Sequence, residues 1–330
     1  MTFDFSSWNK LPVAVVGDLM LDIYMYGVIK GLNPERPAAP KLLLTRKDHH
    51  LGGAANVAHN IRTLGGDVTL YGVLGEDPSG ALFKHLSAQH DIKISNYLDK
   101  RPTTTKTRIV EQGHNDQVCR IDDEIEDSLD SSLATRITNH IIRDLDQYRA
   151  LVFSDYGKGV LTPELTLPLI AACREKNIPV LVDPKPRNIS RFQNCTLLTP
   201  NLSEAQTILG PSACTDLTGD QRLHYYCQAL QRTTGSSMAI ITCGSEGMAG
   251  VDSRGTYTRV RSQAQQIFDV TGAGDTVLAI LTLCLGSSSP SSLNFPQALR
   301  LANAGGGIAV GKVGTSTVRL EELIEAASRD

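Results

Sequence analysis

The feature that most constrains the fold is a regular alternation of short apolar runs with amphipathic stretches. Six β-rich runs end in polar residues or glycine, at 13–18, 67–75, 150–155, 179–184, 196–201 and 238–244. Amphipathic stretches separate them, near 53–64, 79–89, 131–147, 163–176 and 220–233. Alternating strands and helices form parallel sheets, and continuous apolar strands indicate a sheet covered on both faces. The sequence therefore predicts an α/β fold with a doubly wound, mainly parallel sheet flanked by helices.

Two segments interrupt the alternation, 23–47 and 100–122. In the second, TKTRIVEQG and QVCRID flank a polar turn, which is the pattern of an exposed antiparallel hairpin. Neither segment has a helix to cover it, so both are expected to lie outside the main sheet as a small β-sheet lid. The sequence thus predicts a single domain over 1–330 with this lid. Exposed lid strands from two chains could pair in a homodimer.

Charge and hydropathy narrow the possible partners. The 330 residues include 32 Lys and Arg and 35 Asp and Glu, interspersed along the chain. Because the charges are balanced and interspersed, no cluster of positive charge is expected to bind nucleic acid or an anionic membrane surface. The first residues lack a signal-peptide pattern, and no apolar run reaches the roughly 18 residues that a membrane helix needs. A cytoplasmic protein with a small-molecule partner is expected.

The run FDVTGAGDTVLAIL, at 268–281, crowds glycines at the start of an apolar helix. Glycine costs roughly 1 kcal/mol in a helix interior, so Gly272 and Gly274 need a local reason. With Ala273 between them, the first-turn amides can converge on an anion, which the helix dipole also favours. Asp275 would repel a phosphate unless it serves as a base towards an attacking hydroxyl. The alternative is an ordinary helix start capped by Asp275.

A second glycine pair opens an earlier helix, in LGGAANVAHNIRTLGG at 51–66. Gly52 and Gly53 allow a ligand close to the backbone, and Asn56 can donate to and accept from a sugar hydroxyl. Asp18, at the carboxyl end of the first strand, could contribute in the same way. Equally, the glycines could form a plain turn beside a solvated Asn56, and Asp18 could merely end its strand.

Together, GGAANVAHN early and DVTGAGDT late resemble the signatures of the PfkB or ribokinase-like carbohydrate kinases, over nearly the whole chain. Further stretches resemble family members that phosphorylate D-glycero-D-manno-heptose 7-phosphate: GDLMLDIYMYG, TTTKTR, SDYGKG, VDPK, LLTPNLSE and GKVGTST. The resemblance implies ATP-dependent phosphorylation of the anomeric hydroxyl to the 1,7-bisphosphate, for lipopolysaccharide core synthesis. Ile23 and Met25 stand where those kinases carry Arg and Trp. Another sugar, sugar phosphate or nucleoside therefore stays open as the substrate.

The resemblance also implies individual roles. Asp275 would be the catalytic base, and the anion hole would be formed by Gly272, Ala273 and Gly274. The nucleotide would contact Lys185, Asn201, Thr242, Gly244, Gly247, Asn303 and Gly307. Mg²⁺ would be held, through water, by Asn201 and Glu204, and K⁺ could bind at Asp269, Thr271 and the loop around Gly314. Glu204 could instead simply cap a helix, Lys185 could be a solvated turn residue, and packing could explain the glycines at 305–307.

On the sugar side, the resemblance implies contacts from Asp18, Gly52, Gly53 and Asn56. A phosphorylated sugar also needs a cationic clamp, and the nearest candidates are Lys106, Arg108, Arg120 and Lys158. Each of these could equally be a solvated surface charge. The nucleotidyltransferase fused to some relatives is expected to be a separate protein here.

Two other classes of protein compete with a kinase. A non-catalytic binding subunit would be free to lose Asp275 and the glycines, which this chain retains. A Rossmann dehydrogenase would carry G-x-G-x-x-G after its first strand, where this chain has GDLMLD.

Overall fold

The six apolar runs of the sequence lie in a nine-stranded sheet. The computed structural model describes residues 3–33, 35–113, 116–210, 217–262, 268–288, 293–312 and 314–328. The strands are β1 (Pro12–Gly17), β2 (Leu19–Asn33), β3 (Arg36–Gly53), β4 (Asp67–Gly75), β5 (Lys93–Asp99), β6 (Thr104–Glu111), β7 (Gln117–Asp123), β8 (Ala150–Ser154), β9 (Val180–Asp183), β10 (Leu197–Leu198), β11 (Met238–Thr242), β12 (Met248–Val251) and β13 (Tyr257–Val260). The helices are α1 (Ala54–Thr63), α2 (Pro78–Gln89), α3 (Ser131–Asp144), α4 (Pro163–Glu175), α5 (Leu202–Leu209), α6 (Gly219–Thr234), α7 (Ala273–Gly286), α8 (Phe295–Val310) and α9 (Leu320–Ala327).

The large sheet has the strand order β13-β12-β11-β10-β9-β8-β1-β4-β5. Its strands run parallel from β11 to β5, and only β12 and β13 at one edge are antiparallel. Each of the six predicted apolar runs overlaps one of its strands, and the five predicted amphipathic stretches overlap α1, α2, α3, α4 and α6. The predicted doubly wound, mainly parallel sheet is therefore confirmed.

Helices cover both faces of this sheet. Along β1, Val13 and Val15 join the core formed with α1, α7 and α8, whereas Ala14 and Val16 join the core formed with α3 and α4. Successive side chains of a strand point to opposite faces, so a strand between two helical layers needs apolar residues throughout. This explains why the central strands read as unbroken apolar runs. Among the described residues, no helix has both the length and the apolar character needed to cross a membrane.

A second, four-stranded sheet has the order β3-β2-β6-β7. The pairs β2/β3 and β6/β7 are antiparallel, and β2/β6 is parallel. The strands of this small sheet come from the two segments that interrupt the alternation, 23–47 and 100–122, and from residues next to them, and the predicted hairpin is formed by β6 and β7. That the chain forms a single domain, and that the small sheet acts as a lid, stay predictions.

The strands of the small sheet extend further than the sequence suggested. β2 begins at Leu19, with only Asp18 between it and β1, and β3 runs to Gly53, immediately before α1. The start of β2, from Leu19 to Tyr24, is buried, so it lacks the alternation of apolar and polar residues that marks a half-exposed strand. With these bounds, Asp18 and the glycine pair lie where the small sheet joins the large one.

Candidate active site

Polar side chains collect where the carboxyl ends of the parallel strands meet. Asp18 follows β1, Asp155 follows β8, Asp183 ends β9 and Asn201 follows β10. A cavity of about 360 Å³ opens at this edge of the sheet, within the range typical of small-molecule sites. Ligands of open α/β sheets bind outside the carboxyl ends of the strands. The cavity therefore lies where a sheet of this kind binds its ligand.

The glycine turn forms one wall of the cavity at the start of α7. Gly272 is the N-cap and has φ +80° and ψ 0°, a left-handed conformation that favours glycine. A Cβ on Gly272 would lie 2.6 Å from Nδ2 of Asn56, whereas one on Gly274 would approach only Oδ2 of Asp183, at 4.0 Å. Because first-turn amides have no acceptor within their own helix, the open space over Gly274 is suited to an anion.

Asp275 lies in the first turn of α7 with 2% of its surface exposed. Asn56 donates from Nδ2 to its Oδ2 at 2.7 Å, and the hydroxyl of Tyr156 donates to its Oδ1 at 2.9 Å. Burial raises the pKa of Asp275 to about 6, and these two hydrogen bonds work in the opposite direction. At neutral pH the carboxyl is mostly ionised yet more basic than an ordinary aspartate. This is the protonation behaviour that a general base needs.

A buried polar network fastens α1 to α7 behind Asp275. Nδ2 of Asn60 donates to the carbonyl oxygen of Asn56 at 3.0 Å, and Oγ1 of Thr276 donates to Oδ1 of Asn60 at 3.0 Å. The amide of Val318 donates to the same Oδ1 at 3.3 Å. Because these buried groups satisfy one another, the two helices hold Asn56 and Asp275 at a defined separation.

The residues predicted to bind the nucleotide all line the cavity: Lys185, Asn201, Thr242, Gly244, Gly247, Asn303 and Gly307. They lie at the carboxyl ends of neighbouring strands, in the turn after β11 and on α8. Packing explains Gly305, because a Cβ there would overlap Cδ1 of Ile280 on α7. Gly306 and Gly307 face the cavity instead. The structure thus brings the seven residues together, and their contacts with a nucleotide stay predictions.

Asn201 and Glu204 form a capping box at the start of α5. The Asn201 side chain accepts from the Glu204 amide at 2.9 Å, and the Glu204 carboxylate accepts from the Asn201 amide at 3.0 Å. Nζ of Lys185 also lies 2.7 Å from Oε1 of Glu204. Glu204 therefore caps its helix, and it lines the cavity as well. Lys185 is an ion-pair partner of Glu204, and its contact with a nucleotide stays a prediction.

The acidic groups around the cavity do not form a complete metal cage. No cluster of three or more His, Cys, Asp or Glu side chains within the described ranges is arranged to hold a metal ion. The available donors are hard oxygens from Asn201 and Glu204, with the carboxyl of Asp183 on the same wall. Mg²⁺ is usually bound by one or two carboxylates together with water and substrate phosphates. The donor set therefore fits a divalent cation that arrives with a nucleotide.

Asp269 joins two loops beside α7. Its Oδ1 accepts from the amide of Thr271 at 2.9 Å, and its Oδ2 accepts from the amide of Gly314 at 3.1 Å. The residues predicted to bind a monovalent cation therefore lie together. Their role in binding K⁺ stays a prediction.

Asp18 anchors the 155–160 loop. Its carboxylate accepts from the amides of Tyr156 at 2.8 Å, Lys158 at 3.1 Å and Val160 at 3.3 Å. Only 1% of Asp18 is exposed, and burial together with the nearby carboxylate of Asp155 raises its pKa to about 6. Its observed partners are thus backbone amides, and contact with a sugar stays a prediction.

Close backbone packing accounts for the early glycine pair. A Cβ on Gly52 would overlap Oδ2 of Asp22, and one on Gly53 would lie 2.5 Å from the carbonyl oxygen of Asp18. Gly53 has φ +58° and is the N-cap of α1. Close packing therefore gives these glycines a structural role, and their contact with a sugar stays a prediction. Asn56, which is 1% exposed, is bonded to Asp275 rather than solvated.

The four candidate clamp residues are all paired with carboxylates. Lys106 contacts Asp122 at 3.2 Å and Glu124 at 2.7 Å, and Lys158 contacts Glu124 at 2.6 Å. Arg120 also contacts Asp122, at 2.6 Å. Arg108 donates to Asp22 at 2.6 Å. A substrate phosphate would therefore have to compete with internal carboxylates for these cations.

Sequence reasoning missed three residues of the site. Tyr156 lies one position after the predicted strand 150–155, Asp183 lies within the predicted strand 179–184, and Asp22 lies just before the interruption at 23. Each lies within or next to a segment whose carboxyl end faces the cavity or the small sheet. Their position at or near the end of a strand was the signal in the sequence that could have identified them.

The whole chain is similar to known carbohydrate kinases. The sequence model described as pfkB family carbohydrate kinase matches residues 10–322. The bifunctional protein HldE of Geobacter sulfurreducens is 36% identical over 322 residues, covering 97% of this chain and 64% of that protein. HldE of Helicobacter pylori is 36% identical over 313 residues, covering 94% of this chain and 65% of that protein. The chain therefore spans less than two thirds of the length of these relatives.

Solved structures show the same fold. Phosphofructokinase-2 from Escherichia coli, crystallised in complex with potassium, has a TM-score of 0.78 at 20% identity, over 97% of this chain and 99% of that chain. Ribokinase from Giardia lamblia has a TM-score of 0.76 at 18% identity, again over 97% and 99% of the two chains.

A helix amino terminus beside a buried carboxylate, at the carboxyl edge of a doubly wound sheet, provides an anion site with a base next to it, which is what phosphoryl transfer to a hydroxyl requires. The family match over residues 10–322 identifies the class of protein. The chain belongs to the pfkB family of carbohydrate kinases, and it is an ATP-dependent sugar kinase.

Proposed function

We propose that this sugar kinase phosphorylates the anomeric hydroxyl of D-glycero-D-manno-heptose 7-phosphate, giving the 1,7-bisphosphate. The observation that carries the chemistry is the buried carboxylate of Asp275, held by two hydrogen bonds in the first turn of α7. The sugar is supported by the stretches that resemble heptose 7-phosphate kinases, and by relatives that carry the name HldE.

Asp275 acts as the base in the proposed reaction. Its carboxylate takes the proton of the acceptor hydroxyl, whose oxygen attacks the γ-phosphorus as the bond to the bridging oxygen of ADP breaks. The amides of Ala273 and Gly274, with the helix dipole, stabilise the charge on the transferring group. The proton remains on Asp275 until the products leave, which its raised pKa favours.

Family members use ATP with a divalent metal, and we propose Mg²⁺ here, near Asn201 and Glu204. When bound, such a cation offsets the charge of the nucleotide phosphates. Because the capping box and Lys185 engage these two side chains, they would reach the metal through its water ligands. Lys185 is placed to approach the phosphates by exchanging its ion pair with Glu204 for the nucleotide.

K⁺ is proposed at Asp269 and Thr271, next to the Gly314 loop. The carboxylate of Asp269 holds the Thr271 turn and the Gly314 loop together. A cation there would therefore influence the conformation of the chain that leads into α7. The potassium complex of Escherichia coli phosphofructokinase-2 makes K⁺ the ion to test.

The sugar phosphate is proposed to bind Lys106 and Lys158, whose ammonium groups converge on Glu124. A phosphate on the acceptor sugar would take the place of this carboxylate between the two lysines. Arg108 and Arg120 lie opposite one another on β6 and β7, so their side chains share a face of the small sheet. Together these cations form the proposed clamp.

A neutral sugar is the second candidate acceptor. The clamp cations are already paired with Asp22, Asp122, Glu124 and Glu126, which is the arrangement expected if no substrate phosphate has to be bound. Asp18, Asp22 and Asn56 would then supply the contacts with sugar hydroxyls.

Assays with a panel of acceptors would distinguish a sugar phosphate from a neutral sugar as the substrate. ADP release would be measured with heptose 7-phosphate, the free heptose, fructose 6-phosphate, ribose and a nucleoside, each at equal concentration, and ³¹P NMR would locate the new phosphate. The proposal expects the highest kcat/KM for heptose 7-phosphate, with the product phosphorylated at carbon 1. A higher kcat/KM for the free heptose or for another acceptor would replace the proposed substrate.

We further propose that the chain forms a homodimer through the small sheet. Ile29, Leu32, Leu43 and Leu44 on β2 and β3 are exposed apolar side chains, and an exposed sheet is liable to pair with another copy. The 1,7-bisphosphate would be the substrate of a nucleotidyltransferase.

A further inference from the structure

The 155–160 loop links the catalytic carboxylate to the small sheet. The hydroxyl of Tyr156 donates to Oδ1 of Asp275 at 2.9 Å, while its backbone amide donates to Asp18 at 2.8 Å. Two residues further on, Nζ of Lys158 contacts Glu124 at 2.6 Å and Glu126 at 2.7 Å. One short loop therefore contacts Asp275, the end of β1 and the chain that follows β7.

Each carboxylate oxygen of Asp275 has one dedicated donor. Nδ2 of Asn56 occupies Oδ2 at 2.7 Å, and the phenol of Tyr156 occupies Oδ1. Burial and the Asp275 carboxylate raise the pKa of Tyr156 well above its ordinary value. The phenol is therefore protonated at any working pH and acts as a donor to this carboxylate.

We propose that Tyr156 is a positioning residue for phosphoryl transfer, which orients the carboxylate of Asp275 and keeps it ionised. This inference rests on the proposed role of Asp275 as the base. A donor on each oxygen fixes the plane of the carboxylate, so that the lone pairs left free face a predictable direction. A phenol that donates to the charged form also favours that form over the neutral acid.

The other charged groups that face Asp275 would be unchanged by loss of the phenol. Asp22 on β2 opposes ionisation of Asp275, and Lys185 favours it. Asp183, at the end of β9, interacts with Asp275 from the opposite wall and has a pKa well above its usual range, because it is buried near Glu204. A change on removing the hydroxyl would therefore report the Tyr156 hydrogen bond itself.

The test compares Tyr156→Phe with Tyr148→Phe. Both changes remove only a hydroxyl, and Tyr148 is a buried residue whose hydroxyl bonds Tyr71 at 2.7 Å instead of a site residue. The protein would be labelled with ¹³C at aspartate carboxyl carbons and titrated without substrate, with Asp275→Asn identifying the Asp275 resonance. We expect Tyr156→Phe to raise the pKa of Asp275 by about one unit, and Tyr148→Phe to leave it unchanged.

Kinetics give an independent readout. In Tyr156→Phe the acidic limb of kcat/KM for the accepted sugar should move up by about one unit, which is a loss of about tenfold well below the pKa of the base. The loss should shrink towards alkaline pH, and KM for ATP should change less than about twofold. Tyr148→Phe should follow the wild-type profile.

Two results would overturn the inference. One is an unchanged pKa of Asp275 in Tyr156→Phe, with a rate loss that is equal at every pH, because this would assign Tyr156 a packing role. The other is wild-type kinetics across the profile. Since the titration needs no acceptor, it distinguishes a wrong role for Tyr156 from a wrong choice of sugar.

Discussion

Burial and hydrogen bonding act against each other on the carboxyl of Asp275. Loss of water favours its neutral form, and the donors Asn56 and Tyr156 favour the ionised form. The outcome is a pKa of about 6, between that of an ordinary aspartate and neutrality. A base in this range is ionised in the cell and still accepts a proton from an alcohol during transfer.

Replacing Asp275 by Asn should remove catalysis without removing the nucleotide. The amide keeps the shape of the side chain but cannot take the proton, so we expect turnover to fall by about 10²- to 10⁴-fold. ATP affinity, measured by isothermal titration calorimetry, should stay within a few fold of wild type, because the predicted nucleotide residues are untouched. Near-normal turnover of Asp275→Asn would refute the assignment of the base.

The pH dependence of the reaction should report the same group. Because the ionised carboxylate is the active form, kcat/KM should fall about tenfold per pH unit below about pH 6. An aspartate with an ordinary pKa would keep its activity to about pH 4. Initial rates from pH 4.5 to pH 8.5, with the fold checked by circular dichroism at each pH, would distinguish the two cases.

Asp275 should also lower the stability of the folded protein at neutral pH. Its pKa is raised from 3.8 to about 6 on folding, so the folded state binds the proton more tightly and loses stability as the pH rises through this interval. Asp275→Asn removes that cost but mismatches one of the two donors. We expect it to raise the free energy of unfolding by about 1 to 3 kcal/mol at pH 8.

Urea unfolding at pH 8 and at pH 5 would test this expectation. The gain of Asp275→Asn should be smaller at pH 5, where the wild-type carboxyl is mostly protonated. A gain that is equal at both values would mean that the buried charge is not its cause.

At the scale of elements, the start of α7 must leave room for the side chain of Asn56, from α1, beside its own first-turn amides. Gly272 is the N-cap with φ +80°, and Asn56 Nδ2 occupies the space that a side chain on Gly272 would need. Glycine therefore serves two purposes here, the left-handed backbone and the approach of α1. The first is common to many turns, whereas the second is specific to this site.

Gly272→Ala separates these purposes when it is compared with Gly255→Ala. Gly255 has φ +83°, and a Cβ there would meet nothing within 4 Å, so it carries only the backbone cost. Gly255→Ala should lose about 1 kcal/mol of stability in chemical denaturation, and Gly272→Ala should lose more, because the buried Asn56 must also move. Only Gly272→Ala should also lose activity, by tenfold or more, because its Cβ would displace Asn56 from Asp275. Equal activities of the two variants would contradict this account.

At the scale of the whole molecule, the small sheet carries both charged and exposed apolar side chains. Asp22, Lys106 and Asp122 are register partners across β2, β6 and β7, so their charges share one face. Leu43 and Leu44 are consecutive residues of β3 and point to opposite faces, and each is more than half exposed, at 56% and 51%. A second copy of the small sheet would remove this apolar surface from water.

Leu43→Glu should therefore weaken the proposed homodimer. A charge buried at an apolar interface costs far more than one in water, so sedimentation velocity should give a dimer for wild type and a monomer for Leu43→Glu. Leu167→Glu is the matched control, because Leu167 is 41% exposed on α4, away from the small sheet. Wild-type protein that sediments as a monomer at working concentration would remove the proposal.

The sequence by itself determined six of the nine strands of the main sheet, five of the helices that cover it and the glycine turn before Asp275. These depend on local patterns, since apolar periodicity follows from backbone geometry and a helix start needs only its own first turn. The resemblance of its motifs to the PfkB carbohydrate kinases also predicted residues that line a single cavity.

Only the tertiary structure decided the partners of these residues. Asn56 meets Asp275 across 219 positions and Tyr156 meets it across 119, and Asp18 turns to the amides of the 155–160 loop. Lys106 and Arg108 likewise meet their carboxylates through the register of β2, β6 and β7. Lys158 meets Glu124 across 34 positions. Contacts of this kind depend on how distant segments pack, and no periodicity within one segment encodes that distance.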